Sequence, residues 1–162
     1  MPRSRRYWLF KSEPDVFSFA DLMASPGRRT EWEGVRNYQA RNLLRDEVKK
    51  GDGVLFYHSS TEPMAIAGIA EVVKDGYPDG SALDPRSKYH DPASTAANPT
   101  WYRVDIKGVQ SFRKPLTRDR LKREKALAGM MLLQRGARLS VQPVTADQWR
   151  CVLELAGVAV ES

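Results

Sequence analysis

The chain has 162 residues, enough for one domain with a real hydrophobic core. Apolar residues make up 41% and charged residues 28%, a globular balance, and the formal net charge of +6 attracts polyanions without naming one. The single cysteine, Cys151, excludes an intramolecular disulfide and a cysteine-rich zinc site, and two histidines, His58 and His90, argue against a histidine metal centre.

In chain order, the N-terminus has basic residues (Arg3, Arg5, Arg6) but no apolar stretch after them, since Lys11, Glu13 and Asp15 follow at once. A secretory signal is therefore not expected, nor is a membrane span, and the expected location is the cytoplasm. Residues 6–11 read as a strand. Ser18 can cap a short helix through Ala24, ended by Pro26-Gly27, and Asn37 can cap a second helix from Tyr38 to Lys49 with Leu43, Leu44 and Val48 near one face. Gly51-Asp52-Gly53 is a turn before a strand over 54–58. Ala65 to Val73 is a further strand, in which Gly68 marks a bulge or a close backbone approach.

Residues 75–100 lack periodicity and read as a long loop, of the kind that is functional or mobile in a compact domain. Trp101 to Gln110 alternates as a half-buried strand does. Thr117 can cap a helix through Lys125, Arg138 to Val144 is a short strand, and Thr145 with Gln148 forms a capping box for a last helix that Gly157 ends. This order lacks βαβ alternation and implies an α+β domain, an antiparallel barrel or strongly curved sheet with helices around it.

Three segments combine rings with polar groups beyond what a core needs. They are Lys11-Ser12-Glu13-Pro14, Glu31-Trp32-Glu33-Gly34-Val35-Arg36-Asn37-Tyr38, and Tyr57-His58-Ser59-Ser60. Reading one base requires rings for its face and hydrogen-bonding groups for its edge. Trp32, Tyr38 and Tyr57 supply rings; Asn37, Ser12, Ser59 and His58 supply edge groups; Arg36, Lys11 and Arg138 suit phosphate. Blander roles compete: Trp32 and Tyr57 as core, Asn37 as a helix cap, His58 as a satisfied structural histidine. Trp8, Trp101 and Trp149 read as core. His58 and Ser59 are adjacent on a strand and point to opposite faces, so they cannot pair as base and nucleophile. Lys11 and Glu13 are two apart and could do acid–base work, although such pairs are usually structural.

The stretches Tyr7-Trp8-Leu9-Phe10-Lys11-Ser12-Glu13-Pro14 and Trp32-Glu33-Gly34-Val35-Arg36-Asn37-Tyr38-Gln39-Ala40-Arg41-Asn42 resemble hallmark segments of the EVE domain family. So do Gly51-Asp52 with Phe56-Tyr57-His58-Ser59, Asp84-Pro85-Arg86-Ser87-Lys88-Tyr89, and Arg138-Leu139-Ser140-Val141-Gln142-Pro143-Val144. The resemblance implies a single domain over 6–157 with tails at 1–5 and 158–162, and a PUA-like small β-barrel flanked by α-helices. It also implies a reader of modified bases, such as methylated or hydroxymethylated cytosine, in DNA or RNA. The nucleic acid carrying that base and an effector protein are the expected partners, with no metal and no cofactor.

Carried onto this chain, Lys11 and Ser12 would sit at the pocket entry, Trp32 at a cage position with Val35 and Arg36 beside it, and Asn37 and Tyr38 at the rim. Tyr57, His58 and Ser59 would form the facing wall, and Arg138, Ser140 and Gln142 would lie on the last strand near the phosphate. Two other readings stand beside this one. An amidohydrolase like some ASCH relatives would use Lys11 and Glu13 on a modified nucleoside. A protein-interaction domain would keep only a vestigial pocket.

Overall fold

The computed structural model describes residues 4–159. Six strands form one mixed sheet in the order β2-β5-β4-β3-β1-β6. The strands are β1 (Tyr7–Ser12), β2 (Arg29–Trp32), β3 (Gly53–His58), β4 (Ala65–Pro78), β5 (Tyr102–Thr117) and β6 (Val141–Val144). Among the described residues only β1 and β3 run parallel, and the long crossover over residues 13–52 makes that possible. The sheet is open and curled, consistent with a PUA-like fold. Register shifts along β4 and β5 supply local twist.

Helices α1 (Phe19–Ala24) and α2 (Tyr38–Asp46) pack on one face, and α3 (Arg118–Lys122) and α4 (Ala146–Ala156) on the other. The period-two alternation of β1 and β3 divides their side chains between the faces. Trp8, Phe10, Val54 and Phe56 enter the core under α1 and α2, with Phe19, Leu22 and Leu44. Leu9, Leu55 and Tyr57 enter the opposite core, with Leu121, Trp149 and Val152. Both central strands are therefore buried on two sides, which explains their near-continuous apolar runs.

Caps behave as their sequences dictate. Ser18 and Thr145 each close a capping box, Asn37 Oδ1 accepts the Ala40 N–H at 3.0 Å, and Gly157 takes the left-handed C-cap. Gly68 lies at a register shift, and a Cβ there would be 2.5 Å from the Phe19 ring. A buried carboxylate, Asp52, ties β1 to the turn before β3 by accepting the Trp8 indole N–H at 2.9 Å and the Lys49 N–H at 3.0 Å.

Several boundaries differ from those expected. The second helix stops at Asp46 rather than Lys49, as Leu43 O accepts both the Glu47 and the Val48 N–H and the last turn widens out of the helix. Residues 74–78 extend β4, and β5 continues past Gln110 to Thr117, because the two long strands support each other's pairing. The helix after Thr117 ends at Lys122 and gives way to a 3-10 turn over Lys125–Leu127. The last strand starts at Val141, leaving Arg138 and Ser140 in the preceding loop. Strand β2 has only four residues and was not anticipated, since pairing with β5 rather than local periodicity creates it.

Candidate nucleotide-binding site

Residues of β1 and β2 share in lining a cavity of about 620 Å³. Three segments wall it. The end of β1 brings Lys11 and Ser12, the exit of β2 brings Trp32, Gly34, Val35 and Arg36, and the long loop after β4 brings Lys88 and Tyr89. Phe17 and Ser140 also line it. The volume and the mixture of rings with a few polar groups suit a small-molecule-sized ligand.

Trp32 serves both the core and the cavity. It is only 8% exposed, its ring lies 5.2 Å from that of Phe10 and meets Phe56 edge-on at 5.5 Å, and it still lines the cavity. Tyr89 reaches the cavity from the opposite direction in sequence, and its approach depends on Gly34. That glycine has φ +82°, and a Cβ there would fall 2.6 Å from the Tyr89 ring. Only a residue without a side chain fits both the backbone and the neighbour.

Asp79, at the start of the long loop, holds this corner. Its carboxylate is buried and accepts the Gly34 N–H at 2.9 Å, Arg36 Nη1 at 3.1 Å, and the Ser81 N–H and hydroxyl at 2.9 and 2.6 Å. Burial alone pushes its pKa up. The Ser81 hydroxyl, the Gly34 N–H, Arg36 and the Ser81 N–H together outweigh that and hold it below the ordinary carboxylate range. Arg36 then donates from Nη2 to Tyr89 O at 2.6 Å, so one carboxylate and one guanidinium link both walls. The same guanidinium lies over the Tyr89 ring at 5.7 Å and the Trp101 ring at 5.2 Å.

On the far side of Asp79, Arg103 pairs with Glu33 at 2.9 Å and Glu31 at 3.2 Å. Burial, then the Asp79 charge, pushes the Glu33 carboxyl up despite Arg103. At the other wall, burial, then the charge of Arg118, lowers the Lys11 pKa. Lys11 Nζ donates to Ala137 O at 3.2 Å, and Ser12 donates its hydroxyl to Phe17 O at 2.6 Å.

Of the residues singled out from sequence, Lys11, Ser12, Trp32, Val35, Arg36 and Ser140 meet in this cavity. Tyr57, Ser59 and Arg138 do not line it. They line a second groove of about 390 Å³, which Lys11 shares. Strand alternation is the reason: Tyr57 belongs to the core under α3 and α4, on the sheet face opposite Trp32. His58 lines neither cavity; its Nε2 accepts the Phe19 N–H at 3.0 Å, the structural role. Asn37 is the helix cap. Tyr38 is 62% exposed and stacks on Trp101 with centroids 5.0 Å apart, outside the cavity. Gln142 is buried on β6 and donates from Nε2 to Leu139 O at 3.0 Å, so it does not reach an open face.

Sequence reasoning missed Tyr89, Lys88, Gly34 and Asp79 as site-forming residues. The Asp84–Tyr89 stretch was an available signal, because it places a ring within a long polar loop. Asp79 had no comparable signal: an acid beside a glycine reads as an ordinary turn residue.

The family pattern of the EVE domain matches residues 6–155. Human thymocyte nuclear protein 1 is 39% identical over 165 residues, covering 92% of this chain and 73% of that protein. A Pseudomonas syringae protein of known structure is 49% identical, with a TM-score of 0.87 over 93% of this chain and 99% of that one. Human THYN1 in complex with 5-methylcytosine-containing DNA is 37% identical, with a TM-score of 0.88 over 96% of this chain and 99% of that one. A Zymomonas mobilis ASCH protein, 9% identical with a TM-score of 0.54, shares the fold alone. The chain belongs to the EVE domain family.

Proposed function

We propose that this protein is a reader of a modified base in nucleic acid, and that the cavity lined by Trp32 and Tyr89 receives that base from an unpaired or extruded nucleotide. One observation carries the reading: two aromatic residues from distant segments line one cavity of about 620 Å³, and a buried carboxylate–guanidinium pair links their segments. Such a cavity can take the face of a base between rings and its edge on polar groups. The DNA-bound human relative makes 5-methylcytosine the first base to test. No bond needs to be broken for this role.

The experiment is fluorescence anisotropy at fixed salt with short single- and double-stranded DNA and RNA carrying cytosine, 5-methylcytosine, 5-hydroxymethylcytosine or methyladenine. Burying the added methyl contributes roughly 0.8 kcal/mol, so methylcytosine should bind about fourfold more tightly than cytosine from that term alone. Uniform affinity across the panel would remove the reading.

A second reading rests on Lys11 and Glu13, which line the same cavity. An amidohydrolase would use such a pair on an acylated nucleoside, and burial together with the Arg118 charge lowers the Lys11 pKa, the direction that favours a base. Against it, Lys11 Nζ already donates to Ala137 O. Incubation with N4-acylated cytidines decides: release of free acid supports the enzyme, and saturable binding without product rejects it.

A further inference from the structure

The second groove adjoins the first cavity through Lys11, and its chemistry is different. Its lining has four cations, Lys11, Arg118, Arg135 and Arg138, and no carboxylate. Among the described residues none of these four forms an ion pair, whereas Arg6, Arg36, Arg103 and Arg120 all pair with acids. The loop carrying Arg135 and Arg138 is fixed to β1 by the Lys11 Nζ bond to Ala137 O and by the Lys11 N–H bond to Ser140 O at 2.8 Å. Arg118 is fixed at the start of α3, where its N–H donates to Met64 O at 2.9 Å.

Tyr57 lines the groove. It is only 2% exposed, and among the described residues its hydroxyl has no hydrogen-bond partner. Burial raises the Tyr57 pKa and the Arg118 charge partly offsets this, so the hydroxyl stays a donor at neutral pH. Holding like charges together costs free energy that a bound anion would recover. The guanidinium forks suit phosphate oxygens, and the apolar surface of Met64 and Leu132 suits a sugar.

We propose that this groove holds the sugar-phosphate of the nucleotide next to the one whose base enters the Trp32 cavity, so that one strand spans both. The proposal rests on the base-reader function for its second half. Lys11, touching both cavities, is where the strand passes from one to the other.

The test is the salt dependence of affinity for a single-stranded methylcytosine oligonucleotide, measured for the wild-type chain and for Arg118→Gln with Arg135→Gln. Each lost phosphate contact lowers the slope of log affinity against log salt by roughly 0.7. Arg118 and Arg135 share that one phosphate, so the double variant should lose about 0.7 from the slope, with equal losses for modified and unmodified oligonucleotides. Thermal melting checks that the variant is folded. An unchanged slope with base preference intact would overturn the groove and leave the reader standing. A slope reduced in the double variant, with no base preference in the wild-type chain, would support the groove and remove the reader. Displacement of the oligonucleotide by polyglutamate as readily as by an unmodified oligonucleotide of equal charge would overturn a nucleotide as the occupant, in favour of an acidic peptide.

Discussion

Gly34 and Tyr89 are packed so closely that the ring lies where a Cβ on residue 34 would be, 2.6 Å away. The left-handed backbone at Gly34 and the position of the Tyr89 ring are thus one feature. Gly34→Ala should cost about 1–3 kcal/mol of stability through the backbone and displace the ring as well. Urea unfolding and methylcytosine affinity should both fall, whereas a variant that loses neither would show that the loop adapts freely.

Asp79 is the acceptor that keeps this corner together, and removing it leaves Arg36 without its buried partner. Breaking such a pair from one side typically costs about 3–5 kcal/mol. Asp79→Ala should therefore lower the melting temperature more than any exposed substitution, with Asp79→Asn intermediate. The pH dependence has a definite sign. The folded pKa lies below the ordinary aspartate value of 3.8, so the stabilisation is full above that value and is lost as pH falls through the folded pKa. Acid unfolding of Asp79→Asn should show a smaller loss below pH 3.8 than the wild type.

His58 gives a second pH effect, nearer neutrality. Burial holds its pKa below the ordinary histidine value of 6.5, and its Nε2 is an acceptor for the Phe19 N–H. The neutral form is favoured in the folded chain, so stability is full above pH 6.5 and declines as pH falls through the folded pKa. His58→Gln, whose amide oxygen can still accept, should flatten the melting profile below that pH. A wild-type profile already flat there would contradict the structural role.

Trp32 and Tyr89 should separate in mutagenesis. Trp32 packs on Phe10 and Phe56, so Trp32→Ala carries a core penalty of about 3–5 kcal/mol in addition to any binding loss. Tyr89 is half-buried on a loop, so Tyr89→Ala should cost less stability and about 1–3 kcal/mol of binding if its ring stacks on the base. Paired melting and binding curves distinguish the two.

Much of this was legible in the chain because it was written locally. The capping residues Ser18, Asn37 and Thr145, the Gly157 stop and the close approach at Gly68 each follow from short-range chemistry. So did the segment around Trp32. Strand β2, the extensions of β4 and β5, and the Asp79 clamp depend on partners far away in sequence, and periodicity does not encode them. The placement of Tyr57 shows the intermediate case. Alternation separates it from His58, but only the assembled sheet shows that Trp32 lies on the other face.

The most direct measurement is a heteronuclear NMR titration of the protein with 5-methyl-2′-deoxycytidine, following the indole N–H signals of Trp8, Trp32, Trp101 and Trp149. Trp32 lines the cavity, whereas Trp8 is sealed against Asp52 and Trp149 lies in the opposite core. Base entry should shift the Trp32 signal saturably, together with the backbone signals of Gly34 and Tyr89, and leave Trp8 and Trp149 in place. Saturable shifts confined to other residues, or none at Trp32 up to millimolar nucleoside, would contradict base binding in this cavity.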